Sequence, residues 1–336
     1  MNRYFSTAVA GLCVFSLAGS AYAQSASFSD MAPGDFGYEA SVRMKQKGIM
    51  TGFDDGTFRP DLTVTRAEAI KMIVAPLIPG KELTIATETT FTDVPKDAWF
   101  APYVAWAARK EIVSMPKEGG TFSPNKKVTR AEFLKMMFMA YGVDPNSYSE
   151  ITLPLSPDVS NSKEWYYSYI RYGISSSVVM APKGGLLTPN HELLRIEVAI
   201  LLDRFLQYRA KERGQAMLNQ ARTEIETVLD ALEKNDLKRA EYASIRSILY
   251  SRGAHATMPE DPTVKVAVKT SEAVRALVRA YKAGIDGKLD EVIKLANDAS
   301  YIADQAKAIS PSAATISTQI KSYANGFATS AKKQKR

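Results

Sequence analysis

Cysteine and histidine are nearly absent: the 336 residues hold one of the first and two of the second. Cys13 falls within the first 23 residues, which read as an export signal, with Arg3 near the start, an apolar run from Ala8 to Ala18, and Ala21-Tyr22-Ala23 just before Gln24. Leu12 stands where a lipoprotein signal wants a small residue, so cleavage is expected after Ala23 and removes the only thiol. A mature chain without cysteine excludes disulfides and thiolate metal sites. His191 and His255 build neither a Ser/His/Asp order nor a His-rich metal spacing, so no metal, no cofactor and no enzyme are expected. A carboxylate pair for glycoside hydrolysis is a matter of tertiary separation, and the sequence singles out none. Long apolar runs are missing too: the signal's own run is well short of the ~20 residues that cross a bilayer, and no later segment is apolar enough. The mature chain is therefore expected outside the cytoplasm, secreted or on the cell surface or wall, with no transmembrane segment and no nucleic-acid partner.

What is present is a fixed period. Phe28-Ser-Asp30 returns as Phe91-Thr-Asp93 and more weakly as Ser156-Pro-Asp158, each followed by an aromatic, Phe36, Trp99 or Trp165. An amphipathic helical stretch comes next, ending near Gly48-Ile49, Glu111-Ile112 and Gly173-Ile174. Then follow turns with an apolar-x-Pro, Gly56-Thr-Phe58-Arg-Pro60, Gly120-Thr-Phe122-Ser-Pro124 and Gly185-Leu-Leu187-Thr-Pro189. The unit closes on Thr65-Arg66-Ala67-Glu68, Thr129-Arg130-Ala131-Glu132 and Leu194-Arg195-Ile196-Glu197, whose arginines are spaced 64 and 65 residues apart. Each unit reads as helix, turn-rich loop, helix. One such pair cannot bury its apolar face alone, whereas three around a common axis can, so the expected fold is all-α with a pseudo-threefold repeat module. Asp54-Asp55-Gly56 lacks the further oxygen ligands of a calcium loop and is expected to be a turn before Phe58.

The tetrad combines two signals. Threonine followed three residues later by glutamate, at the head of an apolar-periodic run, is a capping box and needs no other explanation. The arginine is different, because a cation in the first helical turn opposes the macrodipole at a cost of roughly 0.3–1 kcal/mol. Free amides at a helix start together with a guanidinium fork suit an anionic ligand. The alternative is that each arginine pairs with a carboxylate of the adjacent unit, such as Asp30, Asp93 or Asp158. Trp99 and Trp165 taken singly are more simply core residues than sugar-stacking platforms, but Tyr166, Tyr167 and Tyr169 beside Trp165 leave room for a carbohydrate groove.

These residues resemble proteins with three S-layer homology domains, over about residues 28–208. The resemblance implies a three-pronged spindle on a central helical bundle that binds anionic cell-wall glycans without a covalent bond, either secondary wall polymers, often through pyruvylated sugars, or peptidoglycan-linked polymers. It also implies that the tetrad arginine lies in a groove between neighbouring repeats and touches the acidic ligand, which carries to Arg66 and Arg130 and, with Leu194 and Ile196 in place of Thr and Ala, less fully to Arg195. The glycines after the first helix, Gly48 and Gly52, become Glu111 and Ser114 in the second unit and Gly173 and Ser176 in the third, so fewer than three working grooves are expected, with the groove of Arg66 the least compromised.

Beyond Tyr208 the pattern is helical throughout and carries the basic surplus, 22 Lys+Arg against 15 Asp+Glu in 209–336. Leu218, Ala221, Ile225, Val228 and Leu232 form one stripe; Val264, Val268, Ser271, Val274, Val278 and Tyr281 a second; Leu289, Val292, Ala296, Ala299, Ala303 and Ala306 a third. A shorter helix over 236–250, a break at 253–262 and a last helix from Ser310-Pro311 complete a bundle. The expected organisation is signal 1–23, repeats 24–88, 89–151 and 152–208, bundle 209–331 and a basic tail 332–336. Lys265, Lys269, Arg275, Arg279 and Lys282 share a face that is either solvated or drawn to anionic polymer or phospholipid. The function this suggests is anchoring to an acidic wall polymer; the alternative is a structural S-layer or envelope-tethering subunit that self-associates or binds an envelope partner through 209–331.

Overall fold

The computed structural model describes residues 27–79, 91–114, 119–182 and 185–336. The expected signal, with Cys13, lies outside them. Within them the chain is all-α: eleven α-helices and isolated bridges, with no strand.

Six helices come in three pairs, α1 (Tyr38–Gln46) with α2 (Arg66–Val74), α3 (Ala101–Arg109) with α4 (Arg130–Ala140), and α5 (Tyr167–Ser175) with α6 (Arg195–Arg209). The capping boxes form as the sequence dictates. The Thr65 and Thr129 hydroxyls accept the amides of Glu68 and Glu132, and those carboxylates accept the threonine amides in return. At α6 only the second half survives: Leu194 has no acceptor, but its amide still donates to the Glu197 carboxylate at 2.9 Å.

The pairs are joined in a closed cycle. The Val64 amide donates to the Leu193 carbonyl, Leu193 to Val128, and Val128 to Val64. At the first residue of each second helix the ring is closed again in the opposite direction, Arg66 to Lys126, Arg130 to His191 and Arg195 to Leu62. Residues 63–65, 127–129 and 192–194 thus bridge one another in a ring. The cycle is tightened on one side by a bidentate pair from Arg43 of α1 to the buried Asp203 of α6, both contacts at 2.8 Å.

The ends of the first helices correct one expected equivalence. Met50 and Val179 both donate to the carbonyl six residues back, and Ile49 and Ile112 to the one five back, which aligns Gly48 with Glu111 and Ser177. Those three residues share the left-handed conformation that ends each helix, φ 66°, 57° and 54°. Gly173, expected to match Gly48, lies inside α5 against Val179 instead. Gly52 is required for another reason, since a Cβ there would lie 2.5 Å from the Phe28 ring.

Five longer helices follow: α7 (Gly214–Glu233), α8 (Leu237–Thr257), α9 (Pro262–Ile285), α10 (Leu289–Ile309) and α11 (Ala314–Gln334). One expectation fails here: the helix expected to end near Tyr250 runs through Gly253 to Thr257. The basic residues Lys332 and Lys333 continue α11, which reaches Gln334. Gly253 stays helical because α8 crosses the end of α5 there so closely that a Cβ would lie 1.7 Å from the Ser175 carbonyl oxygen. The break is confined to Met258–Asp261, where Asp261 caps α9. Ile245, Leu249 and Tyr250 of α8 belong to the core of the repeats, while α9, α10 and α11 build a second core rich in alanine with α7. A buried Arg246–Glu224 pair, with Arg246 also donating to the Leu155 carbonyl, fastens the α7–α8 hairpin to the third repeat. Burial pushes the Glu224 carboxyl up even so, because desolvation outweighs the guanidinium beside it.

Candidate functional site

The three aspartates of the repeat signature hold loops. Asp30 accepts the amides of Phe58 and Arg59, Asp93 those of Phe122 and Ser123, and Asp158 those of Leu187 and Thr188, at 2.7 to 3.0 Å. In each loop the second amide belongs to a residue in the left-handed region, Arg59, Ser123 or Thr188. A carboxylate gripping two successive amides fixes a turn that these side chains would otherwise resist. The Asp30, Asp93 and Asp158 carboxylates are thus engaged with amides and do not pair with the tetrad arginines. The Asp55 carboxylate likewise closes its own turn on Thr57 and Arg59.

The arginines reach to the next repeat. Arg66 donates to the Phe122 carbonyl at 3.0 Å, Arg130 to Leu187 at 2.8 Å, and Arg195 to Phe58 at 2.8 Å. This supplies a structural reason, one the local sequence could not show, for a cation at a helix start. The arginines differ in what else they touch. Arg130 is closed by Glu197 at 2.8 Å, whose other oxygen meets His191 at 2.8 Å. Arg66 approaches Glu132 only to 3.5 Å, and Glu132 is also held by Lys126 at 2.8 Å. Burial pushes the Glu132 carboxyl up, but Lys126, the Thr129 amide and Arg66 together bring it below its ordinary value. The Arg195 terminal nitrogens bond no described residue, and its guanidinium lies over the Phe53 and Phe58 rings at 4.9 and 5.1 Å.

Because each arginine crosses over, each groove is built from three repeats. Arg66 lies at a cavity of about 390 Å³ walled by the second repeat (Ile112, Val113, Phe122, Glu132, Lys135) and flanked by Trp165 of the third. The same arrangement one step on puts Arg130 at a cavity of about 360 Å³ with Val178, Val179, Glu197 and Ile200 of the third repeat and Phe36 of the first. The equivalent positions around Arg195 are Glu68, Lys71 and Trp99. Gly48 and Gly52 do not line the cavity of Arg66, whereas Phe53, the neighbour of Gly52, lies under the Arg195 guanidinium.

The aromatics are exposed, against the simpler expectation of core packing: Trp99 by 54%, Trp165 by 49% and Phe36 by 73%. Trp106, which carried no motif, is the buried tryptophan. Lys71 stands over Trp99 at 5.4 Å and Lys135 over Trp165 at 5.7 Å, so two grooves offer a flat ring beside an ammonium. In the Arg130 groove the lysine position is Ile200 and the ring is Phe36. Tyr167, part of the tyrosine-rich stretch, is buried and donates to the Leu153 carbonyl at 2.6 Å.

Elsewhere on the basic face of α9, Lys265 pairs with Glu260, Lys269 with Glu272 and Lys282 with Glu241, and Arg275 donates to the Ser244 hydroxyl. No described helix is long and apolar enough to cross a membrane.

The family model of the S-layer homology domain matches residues 43–70 and 90–134. The chain is 30% identical over 173 residues to the surface-layer 125 kDa protein of Lysinibacillus sphaericus, which is 50% of this chain and 14% of that protein. It is 37% identical over 107 residues to the surface layer protein of Brevibacillus choshinensis, 31% of this chain and 9% of that one. An endoglucanase of Bacillus sp. matches at 27% over 122 residues, 36% of this chain and 12% of the enzyme. The chain thus spans less than a sixth of the length of these relatives. Two segments of the chain thus match the S-layer homology domain, and with the surface-layer relatives this indicates a protein of the cell surface or cell wall.

Proposed function

We propose, starting from the S-layer homology match, that this chain anchors itself to an acidic cell-wall glycan through the grooves of Arg66 and Arg195 and has no catalytic activity of its own. The observation that carries this is the asymmetry of the three grooves. Two combine an arginine not held by a close carboxylate with a lysine and an exposed tryptophan, the set that suits a sugar ring bearing a carboxylate or phosphate. The third offers Arg130 already paired at 2.8 Å, with Phe36 and Ile200 at its mouth. Arg195, the arginine with the weakest sequence signal, thus replaces Arg130 as the partner of Arg66.

The test is sedimentation with purified cell walls. The arginines also hold loop carbonyls, so truncating them risks the fold; Trp99 and Trp165 are exposed, and the double change Trp99→Ala, Trp165→Ala leaves the cores intact. We expect it to lower wall binding at least about tenfold, one decade per ~1.4 kcal/mol of lost contact. Phe36→Ala should change binding little. Equal losses from both, or none from the tryptophans, refute the proposal.

A further inference from the structure

A cavity of about 680 Å³ lies apart from the grooves, where the third repeat meets the α7–α8 hairpin. The buried Glu224–Arg246 pair lines it, its two hydrogen bonds 2.7 and 2.9 Å long. Pro157 and Ser160 of the repeat form one wall, and Gln220, Lys238, Arg239 and Tyr242 the other.

Four of these side chains, Ser160, Gln220, Lys238 and Tyr242, form no hydrogen bond or ion pair with any described residue. They include a hydroxyl, an amide that both donates and accepts, an ammonium and a phenol on a flat ring. Arg239 adds a guanidinium with one arm on Asp230 at 2.7 Å and donors to spare. Asp236 is directed to the Arg239 amide as the cap of α8, and the Glu224 carboxylate is taken by Arg246, which leaves the Lys238 ammonium without a paired carboxylate at the mouth. The volume is within the range of ~300–1,000 Å³ typical of ligand sites.

We propose that this junction cavity is a second saccharide site, which takes a short acidic oligosaccharide with a sugar face on Tyr242 and the acid group toward Lys238 and Arg239. An apolar ligand would leave the unpartnered donors desolvated, whereas sugar hydroxyls satisfy them. For the class of ligand the inference rests on the reading of the chain as a wall-glycan binder, but it uses none of the groove residues. A chain gripping the polymer at the grooves and again at the junction would hold it by two linked contacts, and the weaker would gain from the stronger.

The experiment is calorimetric titration of the full chain with purified acidic wall-polymer fragments. Four proteins are compared: wild type, Trp99→Ala/Trp165→Ala, Lys238→Ala/Tyr242→Ala, and the fourfold combination. The tryptophan variant is expected to retain a weaker binding phase that the added Lys238 and Tyr242 changes lower about tenfold. Tyr242→Phe should keep the stacking and lose less. If the tryptophan variant binds nothing, or its residual binding ignores Lys238 and Tyr242, the second site is refuted while the groove reading stands. If wild type binds no fragment, both fail. Binding of an envelope protein in this cavity instead would show as junction changes that leave every fragment titration unaltered, which also refutes the proposal.

Discussion

Gly253→Ala reverses the sign that helix propensity gives it. In an exposed helix interior, glycine to alanine stabilises by about 1 kcal/mol. At Gly253 the new Cβ would be 1.7 Å from the Ser175 carbonyl oxygen and 2.8 Å from its carbon, both backbone atoms at the end of α5. A close C–H to carbonyl approach needs about 3.3 Å, so α8 must retreat by roughly 1.6 Å. The Met217 sulfur at 3.0 Å can turn aside, but the two nearest atoms are backbone and cannot. Overpacking of this kind costs about 1–3 kcal/mol. The retreat also loosens the Tyr250 hydroxyl bond to the Val179 carbonyl, 3.2 Å long, worth about 1 kcal/mol. Set against the propensity gain, the net is a loss of about 1–3 kcal/mol. Gly326 in α11 is the control, because a Cβ there meets nothing within 4 Å and the same change should stabilise. The assay is urea unfolding followed by tryptophan fluorescence, since Trp99, Trp106 and Trp165 all lie in the repeats. A lower midpoint at unchanged slope is expected for Gly253→Ala. A raised midpoint would refute the close crossing of α8 over α5 and, with it, the shared core.

Glu111→Gly places glycine at a left-handed helix end, φ 57°, and should stabilise by about 0.5–1 kcal/mol, while Gly48→Ala at φ 66° should destabilise by about 1 kcal/mol; thermal melts of the two read opposite signs. Asp93→Ala leaves the Phe122 and Ser123 amides without their acceptor and should cost about 2–3 kcal/mol in chemical unfolding, with Asp93→Asn recovering part of it. Asp158 is held low by Ser156 and the Leu187 and Thr188 amides against the opposing effect of burial, and Glu132 is lowered too; both therefore contribute stability that is fully present above their unfolded values near pH ~4 and is lost as pH falls through the folded ones. Unfolding free energy measured from pH 7 down to 2 should stay level as far as about pH 5 and then decline. A fragment beginning at residue 209 should expose Ile245, Leu249 and Tyr250 and bind a hydrophobic dye that the full chain does not.

Local rules made the helix starts legible. Thr65, Thr129 and their glutamates are three residues apart, and the capping box needs nothing else. The loop aspartates were visible as a motif but not in their use, because Asp30 and Phe58 are 28 residues apart and only the fold brings them together. The grooves were the least legible part. Grouping Arg66 with Gly48 and Gly52 assumed that one repeat makes one site, but the direction in which the repeats pack decides which arginine enters which groove, and no residue within a repeat encodes that direction. Ser177 escaped notice as the counterpart of Gly48 because a serine in the left-handed region leaves no composition signal. Gly253 was read as a break because a glycine inside a helix is ordinarily a weakness. Its true role, a close approach between elements, depends on a partner 78 residues away.

The cycle from Val64 to Leu193 to Val128 and back carries a consequence for how such a module can arise. No member of a ring is first, and removing one opens two junctions. A lone repeat has an arginine with no loop to clasp, a lysine beside no tryptophan and an apolar face in water. Duplication to two would still leave the circle open, so selection for adhesion has nothing complete to act on until the third copy is present. Once it is, each copy is free to drift in a different direction, because every pocket draws on all three and no copy owns one. Ile200 where Lys71 and Lys135 stand in the other two repeats, and Leu194 where Thr65 and Thr129 stand, are divergences of this kind, both confined to the third copy.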